Sequence, residues 1–381
     1  MNLADMLTYA DIGQLTTIAS HYACQCKRNS KHDLIQSILV TLNRREFIEQ
    51  QVNSISVADL RFLNAILFDK RGLFSLEDII AVVKQTSFDD DNIELRIESK
   101  SKETPREAIA RYKRSGWLFN GMTSSTKYLF QMPNDLKERF RIELGAALSR
   151  QICRTGEPPV YREEQGLCAE DLLLFLRYIK QQSIELNQEF IMYRRTQQQI
   201  MDMFHVQESL VVKGGFRFGY GRMYSAYPDR LALLYDYAYQ QGYIDENGNM
   251  LTLTALGLEV AETGKKENML HMFRFWLKLY KGAIPNLSSL VYWTSECCRD
   301  WVTVSSLHDS LRYLIKPYYY DTAESILNQR VLGMMMHLGL IRIGESPLHG
   351  KVIRMTTWGM KLADKSSYLE NGLLAPLIDK G

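Results

Sequence analysis

Gly242-Tyr243-Ile244, then Glu246-Asn247-Gly248-Asn249, then Met250-Leu251-Thr252-Leu253-Thr254-Ala255-Leu256-Gly257, is the stretch that decides the fold. A helical pattern from Leu231 to Gln241 precedes it. Gly242 can take the left-handed conformation that stops a helix. Two apolar residues then open a strand, Asn247-Gly248 turns the chain, and Thr254 is placed to cap the next helix. The C-terminal part repeats this grammar. A helix from a capping Asp321 to His337 is followed by Gly339-Leu340-Ile341, a loop from Glu345 to Gly350, and Val352-Ile353-Arg354-Met355-Thr356-Thr357-Trp358-Gly359. Both copies run helix, glycine, strand, turn, strand, Thr-x-x-Gly. That order predicts a winged helix, in which a recognition helix and a two-stranded wing project together toward a nucleic-acid groove.

Upstream, Asp171 to Gln181 reads as a Leu-rich helix and Thr196 to Phe204 as another. Gly156-Glu157-Pro158-Pro159 and Gly166 mark 155–170 as a linker. Before it, Thr104-Pro105-Arg106-Glu107 is a strong helix start, with Thr as cap, Pro at the first position and Glu at the third. That helix runs to Ser115. Gly116 ends it, Asn120-Gly121 signals a hairpin, and Lys127 to Met132 reads as a strand. Two further helices, Val57 to Phe68 and Leu76 to Val83, stand in front, the second capped by Ser75. Phe88 to Asn92 reads as a solvated loop. Ile93, Leu95 and Ile97 alternate with charged residues, as in a half-buried strand or an amphipathic connection.

The expected architecture is mainly α with small β-wings. It comprises a helical module at 1–55, a winged-helix-like domain at 56–154, the linker at 155–170, and winged-helix domains at 171–266 and 267–381. In residues 1–50 the pattern Leu15-Thr16, Ile18-Ala19 and Ser30-Lys31-His32-Asp33-Leu34-Ile35 resembles the small helix-hairpin modules of the SAP type, often found on DNA-binding proteins. The alternative is a helical cap packed on the next domain.

The chain has 381 residues, 46% of them hydrophobic, and a formal charge of only +2. Nucleic-acid binding must therefore use local patches. Cysteines 24, 26, 153, 168, 297 and 298 show no paired zinc spacing. They read as reduced thiols of a cytoplasmic protein. The N-terminus lacks the basic and apolar regions of a signal peptide, and the longest mostly apolar run, Val331 to Ile341, is too short to span a bilayer.

Basic residues gather where a winged helix would use them. Residues 102–154 hold eleven Lys and Arg against five acids. Arg106, Arg111, Lys113 and Arg114 lie on the expected helix and Lys127 on the expected strand. Arg194 and Arg195 stand beside Gln198; Gln is a base-reading side chain and Arg a phosphate or guanine reader. Lys213, Arg217 and Arg222 interleave with Phe216, Phe218, Tyr220 and Tyr224, either a loop that stacks on single-stranded bases or an aromatic loop packed on its own domain. Gln329 and Arg330 sit on the last recognition helix, Lys351 and Arg354 in its wing. The 229–264 unit is acidic, with Asp229, Asp236, Asp245 and Glu246 against Arg230, and its wing is expected to pack internally or to meet a protein.

Catalytic signatures are missing. No Walker phosphate loop, H-E-x-x-H or G-x-S-x-G occurs. Neither a cofactor nor a metal is expected. His205 and His337 read as core or boundary residues. Trp276, Trp293, Trp301 and Trp358 read as anchors of the C-terminal core.

Asp171-Leu172-Leu173, the segment Ile184-x-Leu186 to Ile191-x-Tyr193-Arg194-Arg195, and the two Gly-to-Thr-x-x-Gly units carry a further resemblance. Residues 168–360 resemble the helicase-associated N-terminal region of XPB-type DNA helicases and the stand-alone bacterial proteins that carry it. Family versions have Thr and Gly where this chain has Asn187 and Phe190. The resemblance implies DNA association or support of a helicase, without catalysis. The first expectation is thus a non-enzymatic DNA-binding regulator or accessory factor, preferring double-stranded over single-stranded DNA. A helicase or nuclease subunit and a second copy of the chain are further candidate partners; no membrane is expected. The alternative is a protein-interaction scaffold, which predicts an exposed apolar patch around Met334–Met336 or Trp293–Trp301.

Overall fold

The computed structural model describes residues 1–69, 71–88, 103–212 and 217–369. The element expected at Ile93 to Ile97, most of the loop before it, Lys213 and Phe216 lie outside the described residues. The chain is mainly helical, with small antiparallel sheets, and divides into two compact units between Gln151 and Ile152.

The first unit opens with α1 (Leu3–Tyr9), α2 (Ile12–His21), α3 (Lys31–Leu42) and α4 (Arg45–Asn53). Leu3, Leu7, Leu15, Ile18, Leu34 and Ile38 are buried in one core with Phe119, far along the chain. Tyr22 donates its hydroxyl to the Ser115 carbonyl at 2.6 Å, and the Leu3 N–H donates to Asp135 at 2.8 Å. These helices form a cap packed on the rest of the unit. Next come α5 (Val57–Leu67), α6 (Leu76–Thr86), α7 (Pro105–Arg114), β1 (Phe119–Asn120), β2 (Phe130–Gln131) and α8 (Asn134–Arg150). The strand expected from Lys127 shrinks to two residues, and Asn120-Gly121 makes no two-residue turn. Instead Thr123 accepts from the N–H groups of Thr126 and Lys127 at 3.0 and 2.9 Å, so the Thr/Ser stretch folds into a turn of its own. Phe74, just before α6, exchanges both backbone hydrogen bonds with Phe130, at 2.8 and 2.7 Å.

The second unit runs β3 (Tyr161–Glu163), α9 (Leu167–Gln181), β4 (Ile184–Glu185), α10 (Arg194–Met203), α11 (Asp229–Gln240), β5 (Ile244–Asn247), β6 (Met250–Leu253), α12 (Ala255–Thr263), α13 (Met269–Tyr280), α14 (Leu287–Cys297), β7 (Val302–Thr303) and α15 (Val304–Leu311). It ends with α16 (Ala323–Ser325), a π-helical stretch (Ile326–Leu332), α17 (Gly333–His337), β8 (Ile341–Ser346), β9 (Gly350–Met355) and α18 (Thr357–Leu369). The expected linker is partly structured. Tyr161–Glu163 pairs antiparallel with Arg342–Gly344, giving the sheet order β3-β8-β9-β7. Gly and Pro mark where a helix cannot continue, but they do not forbid a short edge strand beside them.

One grammar appears three times: helix, short strand, helix, helix, hairpin. The first strand pairs with the last in each case. Phe74 pairs with β2, β4 with β6, and β7 with β9. In the last two copies the sequence motif has a common physical basis. Gly242 and Gly339 sit at φ 69° and 70°. Thr254 and Thr356 donate their hydroxyls to the carbonyls of those glycines at 2.6 and 3.0 Å. The same hydroxyls accept from the N–H of Gly257 and Gly359 at 3.1 and 2.9 Å. A Cβ at Gly257 would stand 1.9 Å from the Tyr243 carbonyl oxygen. The helix can approach the hairpin only because that atom is missing.

The third helices of the last two copies are packed on nearly every side. Every residue of α11 from Arg230 to Ala238 is buried. From Ile326 to Met336 only Gln329 is exposed. Buried ion clusters hold both helices. Arg230 donates to Asp171 at 2.6 Å and to Glu164 at 2.9 Å, all three essentially inaccessible. His337 joins Glu164 at 3.1 Å. Asp321 is no helix cap, as its sequence position had implied. Thr322 caps α16 through the Ser325 N–H at 3.2 Å. Asp321 is buried instead, accepting from Arg330 at 2.8 and 3.1 Å and from the Tyr220 hydroxyl at 2.8 Å. Met334–Met336, Trp293 and Trp301 are all buried, which removes the apolar surface patch expected there.

Candidate nucleic-acid interface

Among the three third helices, α7 keeps a face in solvent. Its reciprocal start is formed: Thr104 caps the Glu107 N–H at 3.3 Å, and the Glu107 carboxylate accepts from the Thr104 N–H at 2.8 Å. The inner face is Ala108, Ile109 and Tyr112. The Tyr112 ring stacks between Phe62, at 4.0 Å, and Trp117, at 5.6 Å. The outer face is Arg106, Ala110 and Arg114, all exposed. Among the described residues neither arginine has an acidic partner. Arg114 and Arg111 also act on His21: its partial burial and these two charges hold its pKa below the usual imidazole value. A neutral His21 adds no charge to this surface at neutral pH.

Arg111 is placed differently. Its guanidinium meets both oxygens of Asp59, at 3.0 and 2.8 Å, and Glu103 at 2.9 Å. Burial would raise the Asp59 carboxyl, but hydrogen bonds from Arg111 and Tyr112 hold it below its ordinary value. Arg111 is therefore neutralised and ties α7 to α5. Lys113 reaches the β1–β2 hairpin, donating to Asn120 at 2.9 Å. Lys127 lies 4.9 Å from the ring of Tyr128, which is 73% exposed. The first unit thus brings Arg106, Lys113, Arg114 and Lys127 onto one helix and its hairpin.

The other candidates divide. On α10, Arg194, Arg195 and Gln198 are exposed; Arg194 donates to the Val211 carbonyl and Gln198 to Asp202, both at 2.8 Å. Arg217 is half-buried and structural, held by the Tyr224 carbonyl at 2.9 Å, the Tyr227 carbonyl and Asp229. Arg222 pairs with Glu246. Arg330 is the clear correction. It is 4% exposed, donates to Asp321, the Phe218 carbonyl and the Tyr224 hydroxyl, and has no face for a phosphate. Gln329 and Lys351 are exposed, and Arg354 donates to the Arg299 carbonyl at 3.3 Å.

Sequence reasoning missed the exposed Tyr128 and the buried partners of Arg111 and Arg330. Those partners lie from nine (Asp321) to 112 (Phe218) positions away, where no periodicity connects them. Among the described residues no group of three or more His, Cys, Asp or Glu is placed to hold a metal ion, and no helix is long and apolar enough to cross a membrane. No family model, no curated protein and no solved structure matches the chain.

Proposed function

We propose that this chain is a DNA-binding protein without chemistry of its own, a regulator or accessory factor of DNA-processing machinery. Each helix–strand–helix–helix–hairpin module is read as a winged helix, and α7 with the β1–β2 hairpin is the DNA-facing pair. The supporting observation is the exposed face of α7 bearing Arg106 and Arg114, where α11 and the 326–337 helix are encased. Two guanidiniums with no acidic partner among the described residues, on a helix beside a wing, suit phosphates and guanine edges. The encased helices favour a second role for the other modules. Their wings remain outside, and Leu256 and Leu258 of α12 are 48% and 40% exposed, which suits contact with a partner protein such as a helicase or nuclease subunit.

The test is site-directed cross-linking in a Cys153→Ser background, since Cys153 is exposed. A photoreactive group attached to Ala110→Cys is expected to cross-link to duplex DNA, and one at Leu258→Cys is not. Cross-linking at Leu258→Cys alone would move DNA off α7 and overturn the proposal.

A further inference from the structure

Tyr318 and Asp321 exchange both backbone hydrogen bonds, at 3.0 and 2.9 Å. Tyr319 and Tyr320 are therefore the two corners of a tight hairpin turn. Tyr319 sits at φ 49°, in the left-handed region that such a corner normally reserves for glycine or asparagine. The backbone is strained to hold a bulky side chain there, and both rings point outward, 82% and 72% exposed. The turn is rigidly backed: the Asp321 carboxylate is clamped by Arg330 and by the Tyr220 hydroxyl, each at 2.8 Å. Phe218 lies beneath, its ring 6.0 Å from Tyr319 and 5.4 Å from Tyr320. From Ser310 to Tyr320 the chain carries Arg312 and Lys316, both exposed, and no acid.

We propose that the Tyr319–Tyr320 turn is a stacking platform for unpaired bases of single-stranded nucleic acid. Every base has a π-face that an exposed aromatic ring can cover, and the flanking cations favour a phosphate backbone over an acidic peptide. The buried Arg330–Asp321–Tyr220 cluster sets the platform before the ligand arrives, so little ordering is lost on binding. The proposal rests on the nucleic-acid reading of the chain and extends it to a second surface.

The experiment titrates the full chain into fluorescein-labelled oligothymidylate and, separately, into a duplex of equal length. The double variant Tyr319→Ala/Tyr320→Ala is expected to weaken oligothymidylate binding by about tenfold and to leave duplex binding unchanged. Tyr319→Phe/Tyr320→Phe is expected to bind like wild type, because stacking needs the ring and not the hydroxyl. Tyr319→Gly, which suits the left-handed corner, keeps the turn folded while removing one ring and is expected to lose affinity as well. Unchanged oligothymidylate binding by the double alanine variant, or no binding of oligothymidylate by wild type at low salt, overturns the platform. If duplex binding survives in that case, the assignment of α7 stands without it. If duplex binding fails while oligothymidylate binding depends on the two rings, the platform stands without α7.

Discussion

A Cβ on Gly359 would stand 2.1 Å from the carbonyl oxygen of Leu340. The first turn of α18 thus lies directly against the start of β8. Glycine to alanine inside a helix is ordinarily stabilising by roughly 1 kcal/mol. Here the sign reverses. Gly359→Ala, and Gly257→Ala at the matching place, are expected to destabilise by about 2–4 kcal/mol. Urea unfolding followed by the fluorescence of Trp276, Trp293, Trp301 and Trp358 checks this. An alanine variant as stable as wild type would show that the repeat is not held by this close approach.

Arg230 and Asp171 are both inaccessible and 2.6 Å apart. Removing the cation leaves Asp171 and Glu164 buried without their shared guanidinium, with only His205 on Asp171 and His337 and Arg162 on Glu164. Arg230→Ala is therefore expected to cost about 3–5 kcal/mol. The triple replacement Arg230→Met/Asp171→Leu/Glu164→Leu removes all three charges and is expected to recover much of that loss. The same urea transition measures both. A triple variant no better than the single would contradict the charge-burial account.

Asp236 predicts a pH dependence with an unusual sign. Burial pushes its carboxyl up to about 6, against hydrogen bonds from the Arg222 and Met223 N–H groups. The folded state then holds this proton more tightly than the unfolded chain, whose carboxyl titrates near 4. Its contribution is full below that value and is lost as pH rises toward 6. Glu164 works in the opposite sense. Burial would raise it, but the His337 hydrogen bond and the Arg230 and Arg162 charges hold it low, so its contribution is lost on acidification. Asp236→Asn is expected to remove the decline in stability between about pH 4 and 6. Melting temperatures of both proteins across that range decide it, and identical profiles would contradict the assignment.

Much of the fold is legible in residues whose effect is local. The caps Ser75 and Thr104, the helix stops Gly242 and Gly339, and the Thr-x-x-Gly motifs act within a few positions, and the backbone obeys them. What the sequence hides is contact at a distance. Arg330 looks like a surface reader on a helix until Asp321 and Tyr224 close around it. Arg111 looks free until Asp59 arrives from α5. Tyr161–Glu163 looks like linker because three residues carry no pattern, and only β8 makes them a strand. Of the basic residues read from the sequence, Arg106 and Arg114 were indistinguishable from their neighbours; burial of the other two third helices sets them apart.

The central claim is that α7 meets DNA. Fluorescence anisotropy of the full chain with a labelled duplex, across a salt series, tests it most directly. The account predicts that binding weakens steeply with salt. Arg106→Glu/Arg114→Glu should lower affinity by roughly ten- to a hundredfold and flatten the salt dependence by about two counterions. A double variant that binds as tightly as wild type, with the same salt slope, would contradict it.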